Sequence, residues 1–179
     1  MQSPAKEKNK ANKAREVAIL GIFVAYALVM SLIERMIPLS FGIPGIRLGL
    51  ANVVVLMALY LFPMSRAIVL VVLKCLMAAI FAGSATALFY SLGGSSLSFL
   101  VMIALMRLSR DRVSPMGVSV AGAAFHNIGQ ILVACLLFRS WVVLLYLPAL
   151  LLVGVVTGAV IGILVRYVRP YLRRYLDAR

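Results

Sequence analysis

Long apolar stretches follow one another along the chain, and short groups of proline, glycine or charged residues separate them. A helix needs about 20 apolar residues to cross roughly 30 Å of hydrocarbon. The pattern therefore predicts an all-α membrane protein with six transmembrane helices. Their expected ranges are 17–33, 46–62, 67–83, 87–106, 115–138 and 141–165, of which the second and third are short for a span.

Basic residues are distributed unevenly on the two sides of such a bundle. Six crossings put both termini on one side, where 14 of the 18 Lys and Arg residues then lie. Three remain opposite (Arg35, Arg47 and Arg139), and Lys74 lies within a span. Because Lys and Arg are enriched in cytoplasmic loops, both termini are predicted to be cytoplasmic.

The same reasoning divides the chain into three parts. Residues 1–15 form a basic cytoplasmic arm, residues 16–166 the transmembrane domain, and residues 167–179 a basic amphipathic tail. The tail alternates basic with aromatic or aliphatic residues, which is typical of an anchor at the surface of anionic lipid. A docking surface for a cytoplasmic partner is the alternative.

Composition removes several other classes of protein. The chain is 64% hydrophobic and 13% charged, whereas soluble domains are about 45–50% apolar and about 25% charged. Soluble, disordered and disulfide-rich proteins are thus excluded, and Cys75 and Cys135 are interpreted as packing residues. The net charge of +13 fits the membrane surface, and no nucleic-acid partner is expected.

Small residues form two stripes at helical spacing. In the last span, Gly154, Gly158 and Gly162 recur every four residues, which lets another helix approach closely, in this chain or in an oligomer. A weaker stripe in the first span (Ala18, Gly21 and Ala25) predicts packing within the chain or docking of a separate membrane protein.

Lys74 is the most unusual residue of the predicted spans. It follows Arg66 by eight residues, so it lies about 12 Å deep. A lysine at mid-span costs about 2.5–3.5 kcal/mol on insertion scales. It must reach the interface, lose its proton, bond to carbonyl groups or face a wet cavity, and a ligand-binding role is equally open.

Polar residues of the fifth span are predicted to share one helix face. His126 and Gln130 are four residues apart, and Asn127 and Gln130 are three apart. Hydrogen bonds between helices, worth about 0.6 kcal/mol each, are the simpler explanation. A binding surface is the alternative, and it gains weight because three polar residues coincide.

Depth estimates place these residues with others beneath the outer boundary. We therefore hypothesise a pocket open to the outside, with Lys74 and His126 at its floor. The long apolar loop 36–45 is expected to act as a lid. The other predicted pocket residues are Asn52, Tyr90, Ser91, Asn127 and Gln130, with Glu34, Arg35 and Arg47 at the rim.

Several kinds of chemistry have no candidate residues. The sequence has no phosphate-binding loop of the Gly-rich type followed by Lys and Ser or Thr, and it has one His and five acidic residues. The two aspartates, Asp111 and Asp177, are isolated, which argues against magnesium-diphosphate chemistry. The chain is therefore not expected to be an enzyme or to hold a cofactor, and ATP would act only through separate partners.

Three motifs together resemble one bacterial membrane family. They are residues 45–52 (GIRLGLAN), 89–94 (FYSLGG) and 122–130 (GAAFHNIGQ). The chain resembles the Gx transporters, also labelled heptaprenyl diphosphate synthase component I, over about residues 34–166. Members commonly carry Lys at the position of Arg47, which keeps the charge.

The resemblance implies a relationship to the substrate-binding S-components of energy-coupling-factor transporters. Those proteins fold as six helices with an outward-facing pocket and a lid-like first loop. They dock a membrane coupling subunit that two cytoplasmic ATPases drive, through small residues on the first helix, where Gly21 and Ala25 stand here. Gene linkage in the family implies a role related to isoprenoids, quinones or flavin-dependent electron transfer.

The expected function is thus the capture of a small anionic or amphipathic molecule from the outside. One alternative is a non-catalytic membrane scaffold for a prenyl or quinone biosynthetic enzyme, which would use the tail and the loop 107–114. Another is a membrane enzyme that handles a prenyl diphosphate with Lys and Arg in place of metal.

Overall fold

The chain folds into a helical bundle. The computed structural model describes residues 4–36, 47, 49–108 and 112–177, and within these ranges it contains no strand. The helices are α1 (Pro4–Met36), α2 (Asn52–Leu61), α3 (Met64–Ala82), α4 (Ala85–Leu108), α5 (Pro115–Phe138) and α6 (Leu147–Asp177), with a 3-10 turn (Trp141–Tyr146) before α6.

Five of the six helices are long and apolar enough to cross a membrane: α1, α3, α4, α5, and α6 together with the 3-10 turn that precedes it. Their outward surfaces carry many exposed large hydrophobic side chains, as lipid contact requires. The chain is therefore a multi-pass membrane protein. The six crossings and the cytoplasmic termini stay predictions.

Helix α2 is shorter than the predicted span 46–62. Its ten residues extend about 15 Å, which is half of the hydrocarbon thickness. Residues 49–51 lie outside the helix and lead into it through a turn. Gly49 and Ala51 are buried and Leu50 is half-buried, so the non-helical backbone of residues 49–51 is covered by protein, the condition under which such backbone is tolerated at membrane depth.

Local signals explain where the better-predicted helices begin and end. Helix α5 begins at Pro115, and the hydroxyl oxygen of Ser114 accepts a hydrogen bond from the Gly117 backbone N–H at 3.2 Å. It ends before Arg139, whose φ of 51° is left-handed. The predicted range 115–138 is thus confirmed. Helix α3 similarly ends before Gly83, which has a φ of 62°.

The two basic ends of the chain are continuous with the bundle. Helix α1 begins at Pro4, and α6 runs through Pro170 to Asp177. The division into an arm, a transmembrane domain and a tail stays a prediction. The backbone itself shows no break at residue 16 or residue 166, because neither position carries a helix-breaking signal.

Helix α5 lies at the centre, where it packs on α4 and α6. The glycine stripe of α6 faces α5. A methyl group at Gly158 would lie 2.8 Å from Cα of Val120, and one at Gly162 would lie 2.4 Å from Cα of Met116. These distances leave no room for a side chain, so the glycines of α6 set its close approach to α5.

Helix α1 is the least enclosed member of the bundle. It packs on α2 and α3 but does not contact α6 in the described ranges. Its small-residue stripe (Ala18, Gly21 and Ala25) is exposed, and no atom lies within 4 Å of a methyl group built on Gly21. The stripe therefore does not pack against another helix in the described part of the chain, which was one of its two predicted uses.

Candidate functional site

Polar side chains from five parts of the fold surround one small cavity. They come from the end of α1, the residues before α2, and the middles of α3, α4 and α5. The residues that line it are Ser31, Glu34, Arg47, Gly49, Ala51, Lys74, Ser91, His126 and Gln130.

Glycines bring α4 and α5 together at this level. A methyl group on Gly129 of α5 would lie 2.5 Å from the carbonyl oxygen of Gly93 in α4. One residue further along α4, a methyl group on Gly94 would lie 2.8 Å from Nδ1 of His126. The imidazole ring therefore lies directly against the α4 backbone, and the missing side chains of Gly93, Gly94 and Gly129 create its space.

Lys74 is buried, and its partner is an amide. Its Nζ donates a hydrogen bond of 2.8 Å to Oδ1 of Asn52, and the two side chains are 4% and 2% exposed. The Nδ2 group of Asn52 has no hydrogen-bond partner among the residues that the structure describes. Lys74 thus does not reach the interface, and its amide partner keeps two unused N–H bonds beside it.

Glu34 ties the end of α1 to the segment before α2. Its carboxylate accepts a hydrogen bond from the backbone N–H of Gly49. Gly49 has a φ of 82°, and a methyl group there would lie 2.9 Å from Nδ2 of Asn52 and 3.0 Å from the ring of His126. Glycine alone tolerates both the positive φ and the lack of space for a side chain, so Gly49 lets the backbone approach the other residues of the site.

Gln130 connects this segment to His126. Its Oε1 accepts a hydrogen bond of 3.1 Å from the Arg47 backbone N–H, which leaves its Nε2 as the donor to Nε2 of His126, also at 3.1 Å. A neutral imidazole that accepts at Nε2 carries its proton on Nδ1. The Arg47 guanidinium donates to the carbonyl oxygen of Ala78 at 3.3 Å, which joins the segment to α3 as well.

The predicted pocket residues fall into two groups. Those that line the cavity are Glu34, Arg47, Lys74, Ser91, His126 and Gln130. Asn52 does not line it, but it accepts a hydrogen bond from Lys74, which does. Tyr90 and Asn127 do not line it. The side chain of Arg35 and the predicted lid residues 37–45 lie outside the part of the chain that the structure describes.

Helix geometry explains why Tyr90 and Asn127 are elsewhere. Each differs by one residue from a cavity residue, Ser91 or His126, and one residue rotates a helix by about 100°. Asn127 therefore faces α6, where its Nδ2 donates to the carbonyl oxygen of Leu150 at 2.6 Å. Tyr90 is buried in a separate apolar cluster with Ile131 and Leu150. The single polar face predicted for α5 is thus divided between two neighbours.

Three residues that line the cavity were not predicted from the sequence: Ser31, Gly49 and Ala51. Ser31 precedes Glu34 by three residues, so helical spacing from Glu34 would have identified it. Gly49 stands inside the first motif, but its left-handed backbone has no signal beyond the glycine itself. Ala51 carries no chemistry that a sequence pattern reveals.

The cavity in this state is small. Its volume is about 10 Å³, which admits on the order of one water molecule. The polar groups bond largely to one another, and any ligand larger than water must separate them. The contacts between the segment 47–51 and the helices are the ones that such a ligand would break.

The position of Asn127 leads to a prediction. Replacing Asn127 with alanine removes its hydrogen bond to the Leu150 carbonyl group, and we expect the free energy of unfolding to fall by roughly 0.6–1.7 kcal/mol. Ligand retention should not change, because Asn127 does not line the cavity. Thermal unfolding and ligand extraction of the same preparation measure both effects. Loss of ligand at unchanged stability would contradict this assignment.

Comparison with known proteins agrees with the motifs. The model of the family described as heptaprenyl diphosphate synthase component I matches residues 23–168, which covers α2 to α5, the second part of α1 and most of α6. No curated protein and no solved structure matches the chain. The matched range contains every residue that lines the cavity, and it covers most of the chain. The chain therefore belongs to the heptaprenyl diphosphate synthase component I family.

Proposed function

We propose that this membrane protein captures a small anionic or amphipathic molecule at the cavity between α1 and α5, for uptake from the outside. The observation that carries the proposal is the gathering of Glu34, Arg47 and Lys74 around one cavity in an apolar bundle. Charged residues inside a membrane protein are costly to retain, and they generally serve a ligand, an ion or a proton.

The chemistry of the cavity favours an anionic or carbonyl-bearing ligand. Lys74 has three N–H bonds, of which one is used on Asn52. The Nδ2 group of Asn52 adds unused donors, and Arg47 adds a second positive charge against the single carboxylate of Glu34. Donors and positive charge thus exceed acceptors and negative charge, which a bound oxyanion would balance.

Access requires a movement of the segment 47–51. The hydrogen bonds that hold it include those from Gly49 to Glu34, from the Arg47 backbone to Gln130, and from the Arg47 guanidinium to Ala78. Each has a polar partner that an oxyanion or a water molecule can replace. A ligand that bonds to Lys74 and Gln130 would take over part of this network and hold the segment in a new position.

Uptake would need an energy source that this chain does not carry. We propose that both termini are cytoplasmic, and that a membrane coupling subunit with two ATPases docks on the exposed stripe Ala18, Gly21 and Ala25 of α1. ATP then acts through those partners, and this chain needs no cofactor of its own and performs no catalysis. The exposure of the stripe and the resemblance to S-components support this arrangement.

Mass spectrometry of the purified protein tests the capture of a ligand. We expect a small acidic molecule to co-purify with the natural protein and to be depleted at least fivefold from the Gln130→Leu variant. Thr157→Val is the matched control, because in the described part of the chain the Thr157 hydroxyl group donates to carbonyl oxygens of its own helix alone, at 3.0 and 3.2 Å. Equal ligand content in all three proteins, or none in any, would overturn the proposal.

A second function has a specific observation in its favour. The family description names a component of a prenyl diphosphate synthase, and the end of α6 exposes Tyr171, Arg173, Arg174 and Tyr175. The chain would then be a membrane subunit that recruits a soluble synthase through this helical end. Co-purification of such an enzyme, lost when residues 171–179 are removed while ligand content is unaffected, would favour this function.

A further inference from the structure

A second cavity is larger than the polar site and shares no lining residue with it. It is a groove between α1 and α6, which do not contact each other in the described ranges, and α2 forms its floor. Its volume is about 320 Å³, and its walls are formed by hydrophobic residues such as Ile22 and Tyr26 of α1, Met57 of α2, and Val165, Val168 and Leu172 of α6.

We propose that this groove binds one acyl chain of an anionic phospholipid, and that Arg169 and Arg173 hold its phosphate group at the cytoplasmic end. The groove borders the lipid-facing surface, because Ile22 and Leu164 at its edges are 67% and 42% exposed. A lipid chain can therefore enter sideways from the bilayer.

The dimensions of the groove favour an acyl chain over a helix of a protein partner. From Leu164 to Leu172 the groove extends about 12 Å along α6. A helix about 10 Å wide would occupy on the order of 900 Å³ over that length. All the empty space within the groove amounts to about 750 Å³, part of it open to the surroundings, so a whole helix does not fit inside it, whereas a single extended hydrocarbon chain is far thinner.

The charges at the end of the groove select the headgroup. Arg169 lies one turn beyond Val165 and three residues before Leu172, so it stands at the edge of the face of α6 that lines the groove, without lining it itself. Its guanidinium carbon lies 4.1 Å from the ring centroid of Tyr60, which fixes the cation beside the end of α2. Arg173 follows one turn after Arg169, beyond the end of the groove, and it is exposed. Basic residues between helices at the cytoplasmic side are a known setting for anionic lipid headgroups.

The binding of defined lipids to the purified full chain tests the proposal. After delipidation in detergent, phosphatidylglycerol or phosphatidylcholine is added back, and bound lipid is counted by native mass spectrometry. We expect phosphatidylglycerol to bind more tightly, and Arg169→Gln to weaken it by about fivefold, the effect of one arginine near a headgroup. Arg174→Gln removes the same charge from an exposed position about 140° around α6 from Arg169, away from Tyr60 and the groove, and it should change binding less than twofold.

A third variant tests the groove itself. Val168→Trp fills the space between α1 and α6, and it should reduce the number of bound phosphatidylglycerol molecules by one. If this variant does not fold, the comparison of Arg169→Gln with Arg174→Gln still decides. Equal binding of the two lipids, equal effects of the two arginine variants, or a polypeptide cross-linked within the groove would overturn the proposal.

Discussion

Replacing Gly129 with alanine is expected to force α4 and α5 apart and to abolish ligand retention. The new methyl group would lie 2.5 Å from the carbonyl oxygen of Gly93 and 2.9 Å from Cα of Gly94. Both are backbone atoms of a long helix, which cannot rotate away as a side chain can. We expect the free energy of unfolding to fall by about 1–3 kcal/mol, the usual cost of overpacking a close contact.

The functional effect of this change follows from the position of the contact. His126 and Gln130 lie on α5 on either side of Gly129, and the imidazole ring rests on Gly94. A shift between the helices thus breaks the connection from Gln130 to the Arg47 backbone, which is 3.1 Å long. Thermal unfolding and the ligand content of the purified protein measure the two consequences.

Gly21→Ala is the matched control for this experiment. The same chemical change occurs in a helix, but no atom lies within 4 Å of the new methyl group. The higher helix propensity of alanine, worth up to about 1 kcal/mol, makes the control neutral or stabilising. If both variants had the same stability and ligand content, the close contact of α4 and α5 would not support the site.

The extent of α5 could be predicted because local chemistry marks both of its ends. Pro115 after a capping Ser114 starts the helix, and Arg139 takes a left-handed conformation after it. The length of α2 could not be predicted in this way. A half-length helix inside a bundle and a full span both appear as a continuous apolar run, because every side chain around Leu56 is buried in either case.

Depth along a helix was predictable for the site, but direction around the helix was not. Counting residues from charged ends brought Lys74, His126 and Gln130 to a common level, and the structure has all three at one cavity. Asn127 and Tyr90 have suitable depths too, yet they face α6 and an apolar cluster. Since α5 is covered on several sides by protein, its sequence cannot reveal which neighbour each polar side chain meets.

The size of the cavity was the feature that was hardest to predict from the sequence. Polar residues at one level predict a pocket, but whether they enclose a ligand or bond to one another depends on distances of a few tenths of an ångström. The glycines at 49, 94 and 129 decide this, because they let backbones and the imidazole ring fill the space. The same residues are compatible with a pocket that opens only when its ligand binds.

Lys74→Met and the double variant Glu34→Gln/Lys74→Met should separate stability from ligand binding. Glu34 interacts electrostatically with both Arg47 and Lys74, and it is 7% exposed. Removing Lys74 alone leaves this carboxylate with one cation instead of two. Breaking a close buried charge pair costs about 3–5 kcal/mol. Lys74 bonds to Asn52 and not to Glu34, so we expect the electrostatic part of the loss to be smaller than this.

We therefore expect the single variant to unfold more easily than the natural protein and the double variant to recover part of the loss. The recovery should be incomplete, since Oδ1 of Asn52 loses its donor in both proteins, and a buried acceptor without a partner costs about 1–3 kcal/mol. Unfolding of the natural protein and of both variants in a defined detergent measures the order of their stabilities. Equal stability of the single and double variants would contradict the electrostatic coupling.

Ligand content should follow a different order, because Lys74 is the proposed partner of the anionic group. The single and double variants should both retain at least tenfold less ligand than the natural protein, although the double variant is folded. Glu34→Gln alone keeps Lys74 and Arg47, removes the competing carboxylate charge, and should retain ligand at least as well as the natural protein. A folded double variant that retains its ligand would show that Lys74 serves the packing of the bundle, and the capture of an anion would have to be assigned to other residues.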